Sequence, residues 1–205
     1  MSRASLAQLL PVVVPAYHRN ELAHGLRRLC GDSALYWNAM PEEEFVAPIG
    51  ASWSPADHVR HLTKSVRAVS RGMAMPKLLL RIVFPIRARV SRRYEVLVQT
   101  YHRALRDGGQ AGRFTPSPRA VAGQPDAYRR DVLEQHREAV ERLVAQTMAW
   151  TRHQVDDIAM PHPLLGKLTV REMLMFTLYH NHHHVLVVAR RRGEYFSDAT
   201  PLHAT

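Results

Sequence analysis

Only one cysteine, Cys30, occurs in 205 residues, so no disulfide can close within the chain and zinc held by cysteines is excluded. The lone thiol reads as a small apolar residue of the interior rather than a nucleophile. Long apolar runs are missing too. No stretch of roughly 18 uncharged apolar residues occurs, which excludes an ordinary membrane-spanning helix. The opening, Met1 to Pro15, has one positive charge and a short apolar run interrupted by Pro11 and Pro15. That is a poor match to a secretory signal, and the chain reads as cytoplasmic. Sustained alternation of apolar and polar residues, the mark of a half-buried strand, is also lacking, so the fold class is all-α.

Acid is scarce: 18 Asp and Glu stand against 28 Lys and Arg, a formal charge of +10. Most of the excess sits between Lys77 and Arg106, where Lys77, Arg81, Arg87, Arg89, Arg92, Arg93, Arg103 and Arg106 face Glu95 alone. A second knot, Arg190-Arg-Arg192, suits the negative end of a helix macrodipole. Nothing resembles a helix-turn-helix reading surface or an RNA-binding aromatic motif, and a nucleic-acid partner is not expected. The basic segment reads as an amphipathic helix covering a bundle. A lid, a dimer surface, a partner site or a face for an anionic membrane are its alternatives.

What the chain does have is helical periodicity. A first helix is expected from Tyr17 to near Trp37, with Leu22, Leu26, Leu29 and Cys30 inward. Ser54 as N-cap, Pro55 at the first helical position and Asp57 in the first turn start a second helix that runs to about Gly72. Residues 77–106 form one or two helices broken at Pro85. A Gly- and Pro-rich loop follows through Pro116, Pro118 and Pro125. A third long helix is expected from Asp126 to about Arg152, with Leu133, His136, Val140, Leu143, Thr147 and Trp150 on one stripe. Residues 160–169 read as a turn, and Thr169 with Glu172 forms a capping box for the last helix. The expectation is a single domain over residues 1–205, a four-helix bundle in which 77–125 is a basic helical insertion plus loop.

Histidines mark that last helix. Its core stripe reads Val170, Met173, Thr177, His180, His184 and Val187, so two imidazoles occupy places where Leu would be expected. At about 100° per residue His180, His183 and His184 share a face and His182 points away. Burying two imidazoles is costly unless their nitrogens are paired, and one divalent cation would pair both. A catalytic site of this kind takes three protein ligands and keeps one position open. Helix two offers His58 and His61. Its apolar stripe, Val59, Leu62, Val66, Val69 and Met73, puts His58 nearer the core, whereas His61 shares a face with the small residues Ser65, Ala68 and Gly72. Periodicity leaves both open.

Trp53-Ser-Pro-Ala-Asp-His-Val-Arg-His61-Leu62 resembles the helix-two signature of the DinB/YfiT-like superfamily, Trp-Ser/Thr-x-x-Glu-x-x-x-His-Leu. The run from Pro161 through Glu172, followed by His180-x-x-His-His184, resembles the turn and final helix of the same superfamily. The resemblance implies a DinB-like bundle of up-down-down-up connectivity, often a homodimer, with an extra helical segment here between the second and third long helices. It also implies a divalent metal, commonly nickel or zinc, on His61, His180 and His184. His183 is common in the motif without being a ligand, and His58 is not part of it. Members often carry an acid just after the helix-two His-Leu, where this chain reads Thr63-Lys64-Ser65, which puts any activity needing that carboxylate in doubt.

Three neutral imidazoles leave a divalent ion its full charge and an open position. That suits hydrolysis, or transfer of a low-molecular-weight thiol to a small-molecule electrophile. The superfamily contains thiol transferases and proteins described as hydrolases. No Glu beside the His pair offers a general base in the manner of His-Glu-x-x-His enzymes. Tyr179 is a candidate proton donor or oxyanion partner, although Tyr on a helix flank commonly packs. His58, His183 and His136 are candidates for supporting contacts around the ligands. A non-catalytic binding bundle, with a structural metal or none, is the alternative to an enzyme.

Overall fold

A computed structural model of the protein describes residues 3–86, 90–117 and 123–195. Arg87, Arg89 and Pro118 lie outside them. In chain order the elements are α1 (Arg3–Ala7), α2 (Arg19–Ala39), α3 (Glu42–Val46), α4 (Pro55–Met73), α5 (Lys77–Val83) and α6 (Tyr94–Arg106). A 3-10 turn (Gly112–Phe114), α7 (Pro125–Met148), α8 (Gln154–Asp157), β1 (Ala159–His162), β2 (Gly166–Thr169) and α9 (Val170–Arg191) complete them.

Four long helices carry the core, and each packs on two others: α2 on α7 and α9, and α4 on the same two. Their directions follow from which residues meet. Thr63 contacts His136 and Ser70 contacts Gln146, so numbers rise together and α4 runs parallel to α7. Arg19 bonds the Trp150 carbonyl while Arg27 holds Glu141, so α2 and α7 are antiparallel. His58 meets His184 and His61 meets His180, so α4 and α9 are antiparallel. With α2 taken as up, α7 and α4 run down and α9 runs up, which is the expected up-down-down-up bundle. Leu22, Leu26, Val66, Leu143, Val144 and Leu174, each at most 2% exposed, fill its centre.

Because α4 and α7 are consecutive long helices that run the same way, the chain must cross the whole bundle between them. The basic segment makes that crossing. It breaks into α5 and α6 around Pro85 as the ring at that position requires. α6 lies on α9, α5 on β1, and the 3-10 turn on α4.

Both histidine-bearing helices start at fixed points. Ser54 Oγ accepts the Asp57 N–H at 3.1 Å, with Pro55 at the first position. Thr169 Oγ1 accepts the Glu172 N–H at 3.1 Å, and Glu172 Oε2 accepts the Thr169 N–H at 3.0 Å. The same carboxylate takes the Arg92 backbone N–H at 2.8 Å and its guanidinium at 3.0 Å, tying the crossover to the start of α9. Burial works to raise the Glu172 pKa, yet these bonds hold it below the ordinary carboxylate value.

One element departs from the all-helical expectation. The turn at 160–169 is a hairpin, β1 pairing antiparallel with β2 from Ala159↔Thr169 to His162↔Gly166. Its strands are four residues each, and Pro161 sits in one of them, so no alternation could reveal it. Gly166 closes the turn at φ +71°, a conformation glycine adopts without strain. The third long helix also ends earlier than expected, at Met148, leaving Trp150 buried just beyond it. Among the described residues no helix is long and apolar enough to cross a membrane.

Candidate metal centre

α4 and α9 bring His61, His180 and His184 together. His61 Nε2 lies 3.2 Å from His180 Nε2, and His180 Nε2 lies 3.0 Å from His184 Nε2. One ligand atom from each falls within 4.8 Å of the others, and all three residues are buried. Nitrogens bound at about 2.0–2.1 Å around a tetrahedral ion stand about 3.3 Å apart. Two of the three spacings are close to that figure and the third falls within 4.8 Å, so the donor set suits a divalent ion.

Protonation favours the same conclusion. Burial pushes the pKa of His180 and His184 well below the ordinary imidazole value, and the neighbouring imidazoles push further. His61 is lowered by burial, opposed by its bond to the Phe114 carbonyl. At neutral pH all three are uncharged, the form that binds a metal.

The outer nitrogens set which way the lone pairs point. His61 Nδ1 donates to the Phe114 carbonyl at 3.1 Å, leaving Nε2 as the free lone pair toward the cluster. His184 Nδ1 lies 2.7 Å from His58 Nδ1. When His184 presents its Nε2 lone pair inward, its Nδ1–H donates to His58, and His58 carries its proton on Nε2. That Nε2 is buried and has no partner among the described residues. Burial holds the His58 pKa down at about 3, so it stays neutral and able to accept. Trp53 stacks on His184 with 10° between the planes, and Phe176 stacks on His180 at 21°.

The cluster forms one wall of a cavity of about 890 Å3 enclosed by α4, α9, the hairpin and the crossover. The face of α4 that holds His61, Ser65, Ala68 and Gly72 is its floor, as the small side chains suggest. A Cβ at Gly72 would stand 2.8 Å from Met160 Sδ, so any larger residue there would have to displace that side chain.

The other expected site residues take different places. His183 lines the cavity, with the Tyr179 hydroxyl 3.4 Å from its Nδ1. Tyr179 is not among the lining residues; its hydroxyl is hydrogen-bonded to His102, and burial raises its pKa above the ordinary phenol value. His136 is not brought to the cluster. It lies beside Thr63 Oγ1 at 3.2 Å, next to a void of about 10 Å3 on another side of α4. Cys30 is half-buried, and burial raises its thiol to about 11, so it is inert.

Two contributors lie outside what the sequence signals. His102 on α6 completes the Tyr179 contact, and only the docking of α6 on α9 places it there. The Phe114 carbonyl is a backbone group, which no side-chain pattern can announce. Residues 26–188 match the DinB superfamily. The chain belongs to that superfamily. No curated protein and no solved structure matches it. The superfamily match takes in α4 and α9 as far as residue 188, and with them this DinB chain's three histidines.

Proposed function

We propose that the protein is a metal-dependent enzyme in which His61, His180 and His184 hold one nickel or zinc ion, and that it transfers a low-molecular-weight thiol to an electrophile. The observation that carries this reading is the meeting of three buried, neutral Nε2 atoms at the wall of a large cavity. Closed structural zinc sites take four protein ligands, whereas three leave a position for a reactant. Bound there, such an ion would supply Lewis acidity, keeping a thiol deprotonated at neutral pH and polarising a carbonyl.

The chain's own residues then orient and dry the site. Phe114 and His58 hold His61 and His184 in their metal-binding tautomers, and Trp53 and Phe176 pack over two of the rings. In the reaction the thiol gives its proton to solvent, its sulfur forms the new S–C bond, and the electrophile's leaving group departs. No carboxylate lines the cavity among the described residues, so water has no acidic general base beside it, while a thiol needs none. Hydrolysis is a second reading with one observation in its favour: the His183 imidazole lines the cavity beside the cluster, with Tyr179 and His102 behind it.

The test is metal content by mass spectrometry of tag-free wild type and His184→Ala. About one equivalent of nickel or zinc in wild type, lost in the variant, is expected, with thiol transfer that a chelator abolishes. No metal after incubation with nickel, zinc or manganese would overturn the reading. Full loading without activity on thiol-transfer or hydrolysis panels would favour a non-catalytic binding bundle.

A further inference from the structure

The charges around the cavity are of one sign. Lys64, Arg67, Arg71 and Arg113 line it, and no acidic side chain does among the described residues. Several arginines elsewhere are compensated, Arg27 by Glu141, Arg92 by Glu172, Arg171 by Asp156 and Arg192 by Glu194. Among the described residues no ion pair or hydrogen bond engages Arg67 or Arg71. Lys64 gives its ammonium to the Thr115 carbonyl at 2.7 Å, a neutral acceptor. Lys64, Arg67 and Arg71 recur at helical spacing along α4, beside the strip that begins at His61. Arg113 faces the same space from the 3-10 turn that holds His61.

Behind this cationic edge the wall is apolar. The crossover contributes Leu80, Phe84 and Leu105, the hairpin Met160 and Leu164, and α9 Phe176. The volume of about 890 Å3 is near the upper end of small-molecule pockets, roughly 300–1,000 Å3. A low-dielectric wall next to uncompensated positive charge concentrates an anion that also has apolar surface to bury.

We propose that the cavity binds an anionic amphiphile, an extended apolar body carrying a carboxylate or similar head, with the head on the Lys64–Arg67–Arg71 edge and the body between crossover and hairpin. An electrophilic carbon close to the head then lies near His61, because Lys64 is three residues, less than one helical turn, further along α4. This deepens the thiol-transfer reading and rests on it for the reaction, the amphiphile being the electrophilic substrate. Binding itself depends only on the cavity.

The experiment is calorimetric titration of the full-length protein, metal-loaded and chelator-treated, with hexanoate, octanoate and decanoate, and with decyltrimethylammonium and 1-decanol. Carboxylate affinity is expected to rise roughly fourfold per methylene until the space is filled. The ammonium and the alcohol should bind at least tenfold more weakly than decanoate. Arg67→Glu/Arg71→Glu should weaken decanoate at least tenfold, and Arg67→Gln/Arg71→Gln by less, with circular dichroism confirming that each variant is folded. Equal binding of decanoate and decyltrimethylammonium, or decanoate affinity unchanged by the reversal, overturns the proposal. Binding that vanishes in the chelated protein also overturns it, since the anion then belongs to the metal. Metal content is read on the same samples: no metal with charge-selective binding sinks the metal reading alone, and full metal without selectivity sinks this one alone.

Discussion

His136 and His180 are buried to nearly the same degree, 7% and 6% exposed, on the inner stripes of two long helices, and their surroundings differ completely. His136 has a hydroxyl from Thr63 at 3.2 Å and shares a small void with Asn181, so the polar groups that face its imidazole are neutral. His180 points Nε2 at two other Nε2 atoms, 3.2 and 3.0 Å away, at the edge of a large cavity. Burial of an imidazole is therefore no mark of a site. What distinguishes the two is whether the facing atoms can complete a neutral hydrogen-bond pattern. Three converging Nε2 atoms can do so only if one of them carries a proton, whereas a cation engages all three lone pairs at once.

The strongest way to break this contrast is substitution on both sides of it. His61→Ala or His184→Ala should lose the whole equivalent of bound metal, while His136→Leu keeps it, read by mass spectrometry. Retention in His184→Ala would erase the difference between the two regions. Next in size is His58→Phe, which keeps the packing on Trp53 but removes the acceptor for His184. A loss of about 10–100-fold in metal affinity is expected, measured by competition with a chelator. An unchanged affinity would mean that His58 only fills space.

Acid sharpens the comparison from the satisfied side. Burial holds His136 and His162 near 4, against 6.5 for an ordinary histidine. Between those values the unfolded chain binds protons that the folded one refuses. Stability is thus complete above pH 6.5 and falls as pH drops toward 4. Urea midpoints across that range should slope less in His136→Leu than in wild type, and equal slopes would show that His136 does not carry the effect. The smallest effect belongs to His136→Leu at pH 7.5, about 1 kcal/mol by urea denaturation with metal content unaltered.

Much of this site is legible in the sequence because it depends on local chemistry. Ser54-Pro55-Asp57 and Thr169 with Glu172 announce both helix starts, and the helical period then carries His180 and His184 to the core face. The strip Ser65, Ala68 and Gly72 already hints at open space beside His61. Periodicity fails at the choice between His58 and His61, since both are buried, at 1% and 4% exposure. Only the meeting with α9 separates them: His61 reaches His180, and His58 stops behind His184. The hairpin escapes notice because its strands are too short, and His102 and Phe114 because tertiary docking of the crossover puts them in place.

Glu172 gives the site its timing around the helix axis. Its carboxylate binds the N–H of the N-cap residue Thr169 and the Arg92 backbone at once, so the helix cannot begin one residue early or late without abandoning both. A slip of one residue would turn every later side chain by about 100° and swing His180 and His184 off the cavity. Eight residues and about 12 Å from the nearer imidazole, this one anionic group acts as an index pin, and the aim of the histidines is decided where the helix starts.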